Sequence, residues 1–266
     1  MSRQDDKATR FQALHGGDPF VIPNPWDAGS ARVFAALGFE ALASTSSGFA
    51  FTLGRLDGEA TLDEVVAHAA ALDAATDLPL SVDLENGYGA GPEEAAEAIR
   101  RVAEAGAVGG SIEDWNGADA RLYGPDEAAE RVAAAVEAAR ALPFPFTLTA
   151  RAENHIRGNP DLSDTIRRLQ AFEAVGADVL YAPGLSTVED VRTVCSAVSK
   201  PLNVLARPHL SFADLASAGA QRVSVGGSLA WVALRAMVEA AEGIRDDGDF
   251  SRLDARLPLR EWLASG

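Results

Sequence analysis

From residue 20 almost to the C-terminus, short apolar runs alternate with longer amphipathic segments. The runs 20–23, 41–44, 80–84, 110–113, 146–151, 179–182, 202–205 and 222–225 read as strands, being short and rich in small or branched apolar side chains. Between them, 61–75, 92–105, 126–141, 162–175 and 187–198 carry alanine-rich helical spacing, and 229–244 forms a last helix. Thr61 stands three residues before Glu64 as a capping box, and Pro92 opens its helix ahead of Glu93 and Glu94. Three helices end in one phrase: Glu104-Ala105-Gly106-Ala107, Ala174-Val175-Gly176-Ala177 and Ser217-Ala218-Gly219-Ala220. A glycine just past a helix takes the left-handed conformation that stops it before the next strand.

Eight strands, each followed by a helix, is the count for an α/β fold of the TIM type, a (β/α)8 barrel. A doubly wound open sheet is the alternative, but the Gly-rich dinucleotide loop it usually carries is absent. No Pro-, Gly- or Ser-rich linker divides the 266 residues. The expectation is therefore one barrel domain over 1–266 with a C-terminal helical extension. Residues 257–263 have no place in the barrel count and are expected to pack on a neighbouring element or a sister subunit.

Composition narrows the partners. The chain is 47% hydrophobic with a low aromatic content, so its core relies on small and branched side chains. Lys plus Arg number 23 against 39 Asp plus Glu, a net charge of −16. Such a chain repels phosphodiester backbones and acidic lipid, which excludes nucleic-acid and membrane-surface binding as its work. An anionic substrate needs local arginine or metal to overcome that field. Cys195, the single cysteine, excludes an internal disulfide or a cysteine metal cluster and reads as core. Residues 1–7 are polar, and no apolar stretch approaches the ~18 residues of a membrane span, so a cytoplasmic protein is expected.

Charged motifs close several of the strands. Asp83 and Glu85 lie two apart at a strand end, so both are expected on one side of the ribbon, ahead of Gly87-Tyr88-Gly89. Alone they read equally as a solvated strand end. Glu113 at the next strand end changes that balance, because three neighbouring carboxylates repel unless a cation sits between them. Hard oxygen donors without His or Cys favour Mg²⁺, or Mn²⁺, over zinc. Arg151 ends the fifth strand, either as an ion pair with Glu153 or Glu113 or as a fork for a substrate carboxylate. The small polar run Ser44 to Gly48 brings N–H groups and hydroxyls toward a bound anion, making Thr45, Ser46, Ser47 and Gly48 candidates for substrate binding. Asn203, a polar residue inside the seventh strand, joins them. Asp57 lies on a loop able to cover the site or to form a plain surface turn, and Tyr88 and His155 are candidate proton donors.

Together these motifs resemble the isocitrate lyase/phosphoenolpyruvate mutase superfamily over nearly the whole chain, beginning at Asn24-Pro25-Trp26-Asp27-Ala28-Gly29-Ser30-Ala31-Arg32. The resemblance implies that Asp83 binds Mg²⁺ directly, with Glu85 and Glu113 acting largely through waters and Asp57 nearby. It implies that Arg151 contacts the carboxylate and oxo groups of the substrate, and that Thr45, Ser46 and Ser47 bind the carboxylate of a 2-oxo acid. It also implies a modified barrel whose eighth helix is exchanged within a homodimer, commonly inside a tetramer. Two departures bear on the chemistry. Where the family's lyases carry a Cys-Gly-His loop, this chain has Trp115-Asn116-Gly117-Ala118-Asp119-Ala120-Arg121, which disfavours isocitrate or 2-methylisocitrate cleavage by the usual route. The lysines of the phosphonate-processing members are missing, and their histidine at the end of strand six is Ala182 here. The expected activity is a Mg²⁺-dependent lyase or decarboxylase acting on a small, oxaloacetate-like 2-oxo acid through an enolate. A phosphonopyruvate mutase or hydrolase, or a non-catalytic 2-oxo acid binder, are the alternatives.

Overall fold

The computed structural model describes residues 2–254 and 256–264. Its strands are β1 (Phe20–Ile22), β2 (Leu42–Ala43), β3 (Leu80–Asp83), β4 (Gly109–Glu113), β5 (Trp115–Asn116), β6 (Arg121–Leu122), β7 (Thr147–Arg151), β8 (Val179–Tyr181), β9 (Leu202–Leu205) and β10 (Arg222–Ser224). The helices are α1 (Arg3–Leu14), α2 (Ala28–Ala36), α3 (Ser46–Thr52), α4 (Leu62–Ala75), α5 (Pro92–Glu104), α6 (Pro125–Arg140), α7 (Leu162–Ala174), α8 (Val188–Ala197), α9 (Phe212–Ser217), α10 (Ser228–Asp247) and α11 (Leu259–Ala264). Eight strands run parallel in the order β1-β10-β9-β8-β7-β4-β3-β2. The Ala43 N–H reaches the Pro23 carbonyl at 3.1 Å and brings the two ends of the sheet together. The result is a nearly closed TIM-type barrel, with helices alternating around it.

The three repeated helix endings are Schellman motifs. Gly106, Gly176 and Gly219 sit at φ +104°, +104° and +105°. Their N–H groups reach Ala103, Glu173 and Ala216, and the following alanines reach Val102, Phe172 and Leu215. Each stop aims the chain into the next strand.

Strand alternation assigns the two faces of the barrel wall. In β7, Leu148 and Ala150 are buried in the layer between sheet and helices, packed with residues such as Ile99, Val102, Leu169 and Phe172. Thr149 and Arg151 alternate with them and turn inward, as do Ser81 and Asp83, Tyr181, Asn203, Arg222 and Ser224. The barrel interior is thus polar toward its carboxyl end, and its hydroxyls and amides must find partners.

The pattern along the chain does not predict α1, because its first residues are charged. Its inward stripe nevertheless buries Ala8 and Phe11 completely. Phe11 plugs the amino end of the barrel against Gly109, where an added Cβ would stand 2.7 Å from the ring. Lys7 is drawn under the same helix and pairs with Asp73 at 2.6 Å. Helices α2 and α3 and the antiparallel β5–β6 hairpin were also unread, being too short for a periodic signal.

The C-terminal part behaves differently. Only Ala230 of α10 is buried, while Trp231, Val232, Met237 and Val238 are exposed, as are Phe250 and Leu253 beyond it. Helix α11 packs on α2 of the same chain, where Arg32 donates to the Leu263 carbonyl at 2.6 Å. No helix among the described residues is long and apolar enough to cross a membrane.

Candidate active site

The carboxyl ends of the strands converge on two adjoining cavities. The smaller, about 60 Å³, lies inside the barrel between Ser44, Thr45, Asp83, Asn203, Arg222 and Ser224. The larger, about 680 Å³, opens above it between Ser46, Asp57, Glu85, Tyr88, Glu113, Trp115 and Arg157. Arg151 lines both.

Asp83 ends β3 facing the cavities and is anchored from three sides. Oδ2 accepts from the Ser46 N–H at 3.3 Å, while Oδ1 accepts from the Glu85 N–H at 3.3 Å and the Ser111 hydroxyl at 3.4 Å. Strand alternation does not bring Glu85 beside it, because β3 stops at Asp83. Glu85 is set instead by a left-handed backbone, φ +47°, and Tyr88 shares that state at φ +62°. Non-glycine residues held there cost on the order of 1–3 kcal/mol, offset by the surrounding contacts. Between them Gly87, at φ +89°, cannot be replaced, because a Cβ would fall 2.7 Å from the Ala95 Cα. The turn is clamped by Arg131 of α6, whose buried guanidinium donates to the carbonyls of Asn86, Gly89, Ala90 and Gly91. The Tyr88 hydroxyl donates to Glu85 Oε1 at 3.2 Å.

Arg151 is the cation of the cluster. Its Nε donates to Glu153, Nη2 lies 3.4 Å from Glu113, and Nη1 lies 3.8 Å from Asp83. The Tyr181 ring lies beneath it, 5.3 Å from centroid to guanidinium carbon. Glu153, with no exposed side-chain surface, also accepts from Arg157 Nε at 3.0 Å. Asp114 braces this segment by accepting the Glu153 N–H at 2.7 Å and pairing with Arg168 at 2.8 Å.

The carboxyls titrate abnormally. Burial, then Asp83 and Asp57, pushes Glu85 up to about 7. Burial raises Glu113 well above its ordinary value, against the pull of Arg151. Asp57 is also raised by burial, partly offset by its hydrogen bond with Ser46. Five carboxylates (Asp57, Asp83, Glu85, Glu113 and Glu153) thus face the two guanidiniums of Arg151 and Arg157, an acidic excess that a bound cation would relieve. Among the described residues, no three of His, Cys, Asp and Glu form a ready-made cage. The donors that line the cavities are hard carboxylate oxygens, the type that Mg²⁺ or Mn²⁺ takes.

The other sequence candidates fall out unevenly. Thr45 lines the smaller cavity and Ser46 the larger. Ser47 and Gly48 line neither: they belong to the first turn of α3, where Thr45 Oγ1 caps the Gly48 N–H at 3.4 Å and also bonds the Ser47 hydroxyl at 3.2 Å. Asn203 borders the smaller cavity, but its amide is engaged by Arg222 at 2.9 Å and Ser224 at 3.0 Å. His155 lines neither cavity; it lies beside Gly184, and burial lowers its pKa.

Residues 11–245 match the phosphoenolpyruvate phosphomutase family. The chain belongs to it. It is accordingly an enzyme of the isocitrate lyase/PEP mutase superfamily, with lyase-type C–C or P–C chemistry on small acids. A crystal structure of a candidate lyase/mutase from Burkholderia cenocepacia J2315 superposes with TM-score 0.95 at 52% identity, covering 98% of this chain and 97% of that one. Oxaloacetate decarboxylase of Paraburkholderia xenovorans (strain LB400) is 31% identical over 88% of this chain and 80% of its own length. The structure of an oxaloacetate acetylhydrolase with its product oxalate superposes with TM-score 0.88 at 26% identity, over 98% of this chain and 94% of that one.

Several site residues of this family member are not predicted by the motifs along the chain. Arg222 is buried at the floor of the smaller cavity and has no carboxylate partner among the described residues; it donates to Asn203 Oδ1, Thr149 Oγ1 at 3.0 Å and His15 Nε2 at 3.1 Å. Its signal was available, since Arg222 and Ser224 alternate with Val223 and Val225 as an inward polar pair. Arg131 and Arg157 gave none, because an arginine on a helix or in a loop is usually solvated.

The raised carboxyls predict a pH signature in EDTA. For Glu85 the folded value of about 7 exceeds the unfolded 4.5, so the folded chain holds the extra proton between them. Its stabilisation is full below pH ~4.5 and is lost as pH rises through ~7. The metal-free protein should therefore melt at a higher temperature at pH 6 than at pH 8. Glu85→Gln should flatten that difference in calorimetric scans, and a profile unchanged in the variant would contradict the shift.

Proposed function

We propose that this enzyme is a carbon–carbon lyase or decarboxylase acting on a small, oxaloacetate-like 2-oxo acid. The observation that carries this reading is Arg151, a buried guanidinium at the junction of the two cavities, flanked by Asp83 and Glu113. The substrate's 2-oxo carboxylate would lie against its Nη groups and the Ser44–Ser46 wall. Asp83 would hold Mg²⁺ or Mn²⁺ directly, with Glu85 and Glu113 reached through waters, and the ion would add positive charge beside the developing oxyanion. As a bond to C3 breaks, Arg151 faces the enolate oxygen on which charge accumulates, and it needs no reorganisation because Glu153 already fixes it. Tyr88 lines the larger cavity, whereas His155 lies outside the cavity walls, so Tyr88 is the donor we assign to the enolate carbon. Its oxygen would regain a proton from the Glu85 carboxyl 3.2 Å away, which burial pushes up to about 7. The family and the oxaloacetate-related relatives support this substrate class.

A screen of 2-oxo and 2-hydroxy acids with and without Mg²⁺ tests the reading directly. Mg²⁺-dependent release of a pyruvate-like product is expected, whereas phosphate release from phosphonopyruvate would move the enzyme to P–C chemistry. Asp83→Ala should abolish Mg²⁺ binding in calorimetry with the fold intact; unchanged affinity would remove the metal assignment. Loss of the Arg151 guanidinium should weaken oxalate by roughly 2–5 kcal/mol, and Arg151→Lys should recover only part of that, because an ammonium lacks the planar fork. Equal oxalate affinity in that variant would exclude a bidentate contact.

We further propose that the chain works as one barrel domain with a C-terminal helical extension, and that its eighth barrel helix, α10, is exchanged within a homodimer or tetramer. The apolar residues of α10 left exposed on the isolated chain support this, since a face bearing Trp231, Val232, Met237 and Val238 is costly to hydrate. Light scattering at micromolar concentration should give a dimer or larger, and truncation after Gly227 should yield insoluble protein. A compact full-length monomer would contradict the exchange.

A further inference from the structure

Arg157 is the second cation of the larger cavity, and the mechanism above leaves it unused. Its position is built by three contacts. Nε donates to Glu153 Oε2 at 3.0 Å, the guanidinium carbon stands 4.5 Å from the centroid of the Trp115 ring, and Nη2 lies 3.8 Å from Glu113 Oε1. Glu153 has no exposed side-chain surface, and its two oxygens take the Nε edges of Arg151 and Arg157 separately. One buried carboxylate therefore sets two guanidiniums side by side with their Nη ends toward the cavity. Among the described residues, Arg157 Nη1 has no hydrogen bond or ion pair, and 32% of the side chain stays exposed. Trp115 belongs to the β5–β6 hairpin that walls the cavity, so the stacked ring restricts the guanidinium to one plane.

We infer that Arg157, positioned by Glu153 and Trp115, is the specificity-determining residue that binds the distal carboxylate of a dianionic substrate, while Arg151 binds the 2-oxo carboxylate end. This deepens the 2-oxo acid reading and rests on it. The electrostatics require such a group, because Asp57, Glu85 and Glu113 line the same cavity and would repel a second carboxylate. A monoanionic acid with an apolar tail would instead displace water from the Arg157 N–H groups without replacing their hydrogen bonds, which penalises it. The site thus favours dicarboxylic over monocarboxylic oxo acids by attraction to one and an unmet donor against the other.

Isothermal titration calorimetry of the full-length chain with magnesium chloride tests this with two probes. Oxalate presents only the oxo-carboxylate end, and 3,3-difluorooxaloacetate adds the distal carboxylate. In Arg157→Met, oxalate affinity should stay within about twofold of the parent. The difluorooxaloacetate affinity should fall roughly 10- to 100-fold, the worth of one charge-assisted hydrogen-bonded contact. Arg157→Lys, which keeps the charge and the fold but loses the stacked plane, should fall between the two. Loss confined to difluorooxaloacetate supports the assignment. Equal weakening of both probes, or unchanged difluorooxaloacetate affinity in both variants, overturns it and leaves the 2-oxo acid reading standing. A parent chain that binds neither probe overturns that reading, and this inference with it.

Discussion

Five carboxylates gathered at one end of a barrel repel one another, and the architecture of the site follows from how that repulsion is held in check. Arg151 is the central answer, reaching Asp83, Glu113 and Glu153 from one guanidinium. It does not cancel the charge: burial raises Glu85, Glu113 and Asp57, and the neighbouring carboxylates push them further the same way. Spare negative charge on hard oxygen donors is the charge balance that a divalent cation would complete. The barrel supplies what makes this possible: parallel strands whose last residues all emerge on one rim.

Arginines without conspicuous sequence context perform the positioning. Arg131 replaces helix or sheet partners for the carbonyls of the turn after β3, which lets Glu85 and Tyr88 remain in left-handed backbone. Arg222 satisfies the polar floor through Asn203, Thr149 and His15. Because Phe11 O lies 2.8 Å from His15 Nδ1, the proton sits on that nitrogen and Nε2 accepts from Arg222. Burial and Arg222 depress the imidazole to about 3, so it stays neutral and the buried guanidinium faces no second cation. Helix α1 thus contributes to the floor of the site as well as closing the barrel.

The periodic features of the fold were legible in the chain because each is a local consequence of residue order. The eight strand runs, the capping boxes and the repeated Gly stops depend on neighbours within a few positions, and the structure shows them close to where the pattern puts them. Helix α1 was not legible, since Lys7 reads as solvated until Asp73, some 66 positions away, is brought beside it. The hairpin at Trp115 and the α3 turn were unread for the opposite reason: both are too short to produce a period.

The sequence by itself determined the barrel, the strand ends that bear Asp83, Glu113 and Arg151, and the acidic balance that makes local arginine necessary. These follow from period, propensity and charge, which act along the chain. Only the tertiary structure decided that Glu85 reaches the cluster through a left-handed turn rather than strand alternation, that Gly48 and Ser47 close a helix cap, and that His155 stands away from the cavities. It alone joined Glu153 to both Arg151 and Arg157 and set Trp115 against the latter. Whether a polar side chain faces water, a cap or a cavity is fixed by what burial leaves within hydrogen-bonding reach, and that depends on groups far apart in sequence.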